Sequence, residues 1–134
     1  MALADRKTPR LLGRLADSSV VQAEVARWQA SIDAARAYLV DVLTSIHAEA
    51  DDVNPIGVAD RARVRLASTH AIHAAIEVAD AAYKAAGVDA IFAGSPFERR
   101  FRDIHTLSQQ LQSRRAHYEA VGKVLLGMAP DPFY

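Results

Sequence analysis

The residues best suited to bind a metal ion lie in the middle of the chain. His70, His73, Glu77 and Asp80 recur at the spacing of three and four residues that places side chains on one face of a helix. A His-x-x-His pair with carboxylates nearby can chelate a divalent cation. The stripe borders an apolar face, however, and no glutamate in the chain has a histidine three residues later, as di-iron bundles do. We therefore predict a solvated helix face with no metal.

A cluster of arginines follows further along the chain: Arg99, Arg100, Arg102, Arg114 and Arg115. Guanidinium groups at this density could hold the phosphates of a nucleotide or a nucleic acid. Acidic residues stand close by in the sequence, so ordinary ion pairs at helical spacing are the simpler interpretation. Sixteen basic and sixteen acidic residues give a formal net charge of zero, which is not the charge balance of a nucleic-acid-binding domain.

A polar stretch between Arg102 and Gln112 could line a pocket or an interface, but it contains no recognisable set of nucleophile, base and orienting group. The chain has no cysteine, which excludes disulfides and thiolate chemistry. No apolar run approaches the roughly 20 residues of a membrane span, and the polar N-terminus has no signal-peptide core. We therefore expect a soluble, cytoplasmic protein with neither membrane nor nucleic-acid partners.

The elements that must position these residues are all helical. Alanine, the best helix former, is the most frequent of the 134 residues. We predict an all-α, up-and-down four-helix bundle over residues 18–134, after a lead-in segment at 1–17. Two long helices cover about 18–50 and 58–86, with Gly87 capping the second. A third opens at Ser95 and Pro96 with a capping box, and a short fourth covers about 114–126.

The first long helix shows the most regular apolar spacing. Its stripe alternates steps of four and three residues through Val21, Val25, Trp28, Ile32, Ala35, Leu39, Val42 and Ile46. This heptad pattern predicts a helix packed along a neighbouring helix. It makes Trp28 a core position. In the third helix a separate apolar stripe runs through Phe97, Phe101, Ile104 and Leu111, with Ser108 interrupting it.

Several segments together resemble a known family. The segment Pro96-Phe97-Glu98-Arg99-Arg100-Phe101-Arg102-Asp103 resembles the Arg-Asp signature in the C-terminal helical domain of acyl-CoA dehydrogenases. Val21-Gln22 and Ala34-Ala35-Arg36 resemble the first long helix of that domain. The runs from Tyr83 to Ile91 and from Tyr118 to Gly127 are similar to the branch of reduced-flavin-dependent monooxygenases. The resemblance covers the chain roughly from Lys7 to Gly127.

This resemblance implies a domain of a larger oxidoreductase, in which an N-terminal helical domain and a β-domain supply much of the flavin and substrate pocket. The bundle would close the flavin pocket, with FAD or FMN as the cofactor of the complete enzyme and none necessarily bound by this chain alone. It would also assemble a homo-oligomer, a dimer or a tetramer. The implied flavin contacts are Lys7, Gln22, Gly87, Asp89 and Ala90, and the implied substrate-side group is Gln110.

The chain departs from the family pattern at two catalytic positions. Leu111 stands where acyl-CoA dehydrogenases can carry a glutamate base, and Gln110 stands where several monooxygenases of the branch carry a histidine. Because Gln110 does not titrate, no catalytic residue is assigned. His105 lies five residues, or about 500° of helix turn, before Gln110 and is expected to face elsewhere.

Two alternatives stay open. The chain could be a non-catalytic, self-associating bundle without a cofactor, which the unbroken heptads favour. It could also be a metal-binding bundle built on His70 and His73, although a solvated face is the simpler interpretation.

Overall fold

The computed structural model describes residues 14–49 and 55–129. Its four α-helices are α1 (Ser19–Glu49), α2 (Val58–Ala86), α3 (Pro96–Leu107) and α4 (Ala116–Leu125). Short 3₁₀ turns lie at Leu15–Asp17, Gly87–Ile91 and Leu111–Ser113. The described residues form no β-strand, which confirms the all-α prediction, with two long helices and two shorter ones.

The helix ends follow from local chemistry. The Ser95 side chain accepts a hydrogen bond from the Phe97 backbone N–H, and Pro96 occupies the first helical position, so α3 begins where the sequence predicts. Gly87 ends α2 with φ of 67° and ψ of −154°, a conformation that is open essentially to glycine alone.

Helix α3 is shorter than its apolar spacing suggests. The predicted extension to Leu111 is wrong: the helix ends at Leu107, and Leu111 is 58% exposed in the next turn. The Ser108 hydroxyl donates to the His105 carbonyl at 2.6 Å, and the Ser113 hydroxyl donates to the carbonyls of Ser108 and Gln110. These side-chain hydrogen bonds satisfy backbone carbonyls that a longer helix would have used.

Helix α2 lies at the centre, and every extensive helix–helix packing among the described residues involves it. It runs antiparallel to α1, because Tyr38 meets His70 while Ser45, further along α1, meets Arg63, earlier in α2. It also runs antiparallel to α3, through the pairs of Tyr83 with Phe101 and Asp80 with His105.

The core between α1 and α2 lies in the second half of α1. Val42, Ile46 and Ala67 are buried together, with Leu39 and Val64 packed against them. Small alanines on α2 allow the two helices to approach closely. The first half of α1 is less covered: Val25 is 45% exposed and Trp28 is only half-buried, so the prediction that Trp28 is a core position is wrong. None of the helices in the two described ranges combines the length and the apolar content that a membrane span requires.

Candidate functional site

Four of the residues expected to contact flavin, Gln22, Gly87, Asp89 and Ala90, lie at one end of the α1–α2 pair. Because the two helices are antiparallel, the start of α1 with Gln22 lies at the same end as the close of α2 and the Gly87–Ile91 turn. The Gln22 side-chain amide Nε2 donates to the Ala16 carbonyl at 2.8 Å. That bond orients the side chain and leaves the amide oxygen as an acceptor. Lys7 lies outside the described residues.

The Gly87–Ile91 turn presents backbone and apolar surface to solvent. A Cβ at Gly87 would meet no atom within 4 Å, so the space beside this residue is open. Asp89 is exposed, whereas Ala90 is fully buried, and Ala90 could therefore reach a ligand only through its backbone. Val88, Ile91 and the following Phe92 are 67%, 59% and 60% exposed. This is a substantial apolar surface for such a short segment.

A cleft connects this turn with the expected substrate-side residue. The cleft has a volume of about 810 Å³ and lies between α2, α3 and the chain segments at the two ends of α3. It is lined by Tyr83, Ile91, Glu98, Phe101, Arg102, His105, Thr106, Gln109 and Gln110. Ile91 belongs to the turn, and Gln110 lies beyond the C-terminal end of α3. Two segments that the sequence singled out separately therefore border the same cleft.

His105 also lines this cleft, which corrects the sequence-based expectation that it faces elsewhere. That expectation continued the periodicity of α3 as far as Gln110. The helix ends at Leu107, so the angular relation calculated for an unbroken helix does not apply. The two residues share the cleft because the α-helical periodicity ends at Leu107, and the chain after Ser108 continues along α2 to the contact of Ser113 with His73.

The His105 ring is held by a carboxylate and by an aromatic stack. Its Nε2 lies 2.9 Å from Asp80 Oδ1 on α2. Its ring centroid is 4.3 Å from that of Phe101, which in turn stacks on Tyr83 at 4.3 Å. Sequence reasoning placed Asp80 in a possible metal stripe and did not pair it with His105, because the two residues lie on different helices and 25 positions apart in sequence.

The residues of the possible metal stripe are engaged separately. The His70 ring meets Tyr38 edge-on, and His73 Nε2 lies 2.9 Å from the Ser113 carbonyl oxygen. Within the two described ranges no group of three or more histidine and acidic side chains is arranged to hold a metal ion. These contacts give both histidines a packing role.

Ion pairs account for part of the arginine cluster, as predicted. Arg99 lies 3.7 Å from Asp103, and Arg102 lies 3.7 Å from Glu98, each pair at a spacing of four residues on α3. The Arg99–Asp103 pair is exposed and contributes little to stability, whereas the Glu98 side chain of the second pair is only 23% exposed. The second pair nevertheless sets the charge along one wall of the cleft, where Glu98 and Arg102 stand together.

Comparison with known proteins identifies the domain. The profile of the family described as "Acyl-CoA dehydrogenase, C-terminal domain" matches residues 2–114. The chain belongs to this family. This acyl-CoA dehydrogenase C-terminal domain is also 32% identical over 122 residues to the indole-3-acetate monooxygenase of Pseudomonas putida. The matched region covers 90% of the chain and 31% of that relative, so the domain spans about a third of the curated relative's length.

The match confirms the resemblance drawn from the sequence motifs, and it covers most of the candidate site of the acyl-CoA dehydrogenase C-terminal domain. Gln22, the Gly87–Ile91 turn and Gln110 all fall within the matched residues, as does the Arg-Asp segment of α3. The final helix α4 follows the matched region.

Proposed function

We propose that this domain closes the flavin pocket of a flavin-dependent oxidoreductase and helps to assemble its oligomer. The single observation that carries the proposal is the family match over residues 2–114. The monooxygenase relative favours oxygenation over dehydrogenation. Leu111 is consistent with that choice, because it cannot serve as the carboxylate base that a dehydrogenase places there.

The residues at the end of the α1–α2 pair fit part of a flavin. The exposed apolar side chains of Val88, Ile91 and Phe92 can cover one face of a planar ring, and the open space beside Gly87 lets a ligand approach the backbone. The Asp89 carboxylate suits a hydroxyl or a ring N–H and not a phosphate. Phosphate binding is therefore assigned to Lys7 and to other parts of the enzyme.

The flavin, when bound, supplies the electrons for oxidation or hydroxylation. The chain's own contribution is to cover one side of the cofactor, exclude water from it and hold the substrate-side polar groups. Gln110 contributes an amide that both donates and accepts hydrogen bonds at the edge of the cleft. FAD and FMN both remain compatible with this surface.

Exposed apolar residues support the oligomer. On α1, Val20, Val25, Val40 and Leu43 are 70%, 45%, 49% and 45% exposed. Beyond α4, Leu126 and Met128 are 80% and 56% exposed. Large apolar side chains at this density are typical of surfaces that another protein covers. We assign the α1 residues to contact with a second copy, and we place the enzyme in the cytoplasm.

The first test measures oligomeric state and flavin binding together. Light scattering coupled to size exclusion should show a dimer or a tetramer, and titration into FMN or FAD should quench flavin fluorescence. Gln22→Leu should weaken the quenching. Gln29→Leu, a matched control on the same helix whose amide donates to Asp33, should leave the quenching unchanged. An oligomer that does not bind flavin would favour a self-associating bundle without a cofactor, and a monomer would contradict both assignments.

A second preparation supplies the remainder of the pocket. The matched C-terminal region of the Pseudomonas putida relative is replaced by this chain, and flavin retention by the purified chimera is compared with that of the parent enzyme. Retained flavin supports the proposal. A folded chimera that has lost its flavin would argue that this domain does not close the pocket.

A further inference from the structure

His105 is the histidine of the cleft, and one of its ring nitrogens is already engaged. Nε2 lies 2.9 Å from Asp80 Oδ1, and Nδ1 makes no hydrogen bond within residues 14–49 and 55–129. A histidine oriented by a carboxylate through one nitrogen has its other nitrogen available as a base. The side chains of His105 and Asp80 are 40% and 32% exposed, so solvent or a ligand can reach the pair.

We propose that His105 accepts a proton from the O–H group of an aromatic ligand bound in this cleft, and that Asp80 is its positioning residue. Asp80 accepts the Nε2–H and so selects the tautomer in which Nδ1 carries the lone pair. On transfer, the ligand O–H bond breaks and the proton joins Nδ1. The ligand keeps the electron pair as an anion, and the Asp80 carboxylate stabilises the imidazolium.

The lining of the cleft determines the class of ligand. Tyr83 and Phe101 stack on one another beside His105, and Ile91 adds an apolar wall at the opposite end. Such surfaces favour a planar aromatic ring. The amides of Gln109 and Gln110 stand where a polar substituent of that ring can be hydrogen-bonded. A phenol has this combination of a flat ring and an acidic proton.

The charged and titratable groups around His105 come from two helices. Helix α2 contributes Asp80 and Tyr83, and α3 itself contributes Glu98 and Arg102, which pair with each other at 3.7 Å. The Gly87–Ile91 turn contributes only Ile91 to the lining. Among the described residues, Asp80 is the carboxylate hydrogen-bonded to the ring, and the charge of Arg102 on the same wall is balanced by Glu98.

The inference rests on the proposed function in one respect: it takes this cleft to be the part of the domain that faces the substrate. Its test contains no flavin, so flavin binding and proton acceptance can each fail without the other. The probe is para-nitrophenol, whose anion is yellow and whose neutral form is colourless, and the protein is the full 134-residue chain. A pH titration of the probe's absorbance, with and without saturating protein, reports the ionisation of the bound phenol.

We expect the wild-type chain to lower the apparent pKa of the bound phenol by about one unit, a tenfold rise in its ionisation constant. His105→Gln should abolish this shift, and Asp80→Asn should reduce it. His47→Gln, an exposed histidine near the end of α1, should leave it unchanged. The proposal is overturned if the wild-type chain produces no shift, or if His105→Gln produces the wild-type shift.

A second measurement on the wild-type chain covers the case in which a variant fails to fold. Long-range proton–nitrogen NMR correlations report the tautomer of each histidine ring. We expect His105 to carry its proton on Nε2, and we expect the Nδ1 resonance to shift when para-nitrophenol is added. A proton on Nδ1, or a ring that does not respond to the probe, would overturn the proposal as well.

Discussion

His73 Nε2 lies 2.9 Å from the carbonyl oxygen of Ser113, and this contact ties the Leu111–Ser113 turn to the centre of α2. Thr69, one turn earlier on α2, makes a second contact through its hydroxyl to the Gln112 carbonyl at 3.4 Å. The two contacts hold the chain after α3 in the position from which α4 starts. A histidine that sequence reasoning considered as a metal ligand therefore has a structural role.

Replacing His73 should destabilise the domain. His73→Ala leaves the Ser113 carbonyl without its partner and removes the ring beside Tyr118, and we expect a loss of about 1–3 kcal/mol in the free energy of unfolding. The matched control His47→Ala, at an exposed position, should change it by less than about 0.5 kcal/mol. Urea denaturation followed by circular dichroism measures both. Equal effects of the two substitutions would contradict the role assigned to His73.

The two halves of α1 should respond differently to truncation. Ile46 is 7% exposed within the core, so Ile46→Ala should cost about 2–5 kcal/mol. Trp28 is only half-buried, so Trp28→Ala should cost about 1–3 kcal/mol, less than a fully buried tryptophan. Trp28 is the chain's only tryptophan, so its fluorescence in the wild type checks its partial exposure directly. A larger loss for Trp28→Ala than for Ile46→Ala would show that the first half of α1 is better covered than the structure indicates.

Alanine substitution of two glycines should shift stability in opposite directions. Gly87 has φ of 67° and ψ of −154°, so Gly87→Ala should cost about 1–3 kcal/mol. Gly122 lies within α4, and a Cβ there would meet no atom within 4 Å, so Gly122→Ala should add about 0.5–1 kcal/mol. Thermal melts of the two variants provide the comparison. Stabilisation by Gly87→Ala would rule out the backbone conformation that shapes the Gly87–Ile91 turn.

Tyr118 should influence stability at alkaline pH. Burial raises the pKa of its phenol above the ordinary value; the charge of Arg115 acts to lower it, and Glu77 acts to raise it. Because the folded-state pKa is the higher one, the unfolded chain loses its proton first as the pH rises. Folding stability therefore falls from the unfolded-state pKa, near 10.0, up to the folded-state pKa. Tyr118→Phe should reduce this alkaline loss in denaturation experiments across that range, and an unchanged pH profile would contradict the assignment.

Helix ends that depend on residues close together in the sequence could be predicted. The start of α3 at Ser95 and Pro96 and the end of α2 at Gly87 depend on backbone chemistry close in sequence, and the structure has both. The end of α3 could not be predicted, because it depends on the hydroxyl groups of Ser108 and Ser113, which donate hydrogen bonds to nearby backbone carbonyls. A helical extrapolation across such a break misplaces every residue after it.

The sequence by itself determined the helical class, the bounds of the long helices and membership of the acyl-CoA dehydrogenase C-terminal domain family. Those features arise from local propensity, apolar period and motif order. Only the tertiary structure decided that His105 and Gln110 share one cleft and that Asp80 holds His105. The physical reason is that the pairing depends on how α2 and α3 cross and on where the chain leaves α3, and neither is encoded by the spacing of residues along a single helix.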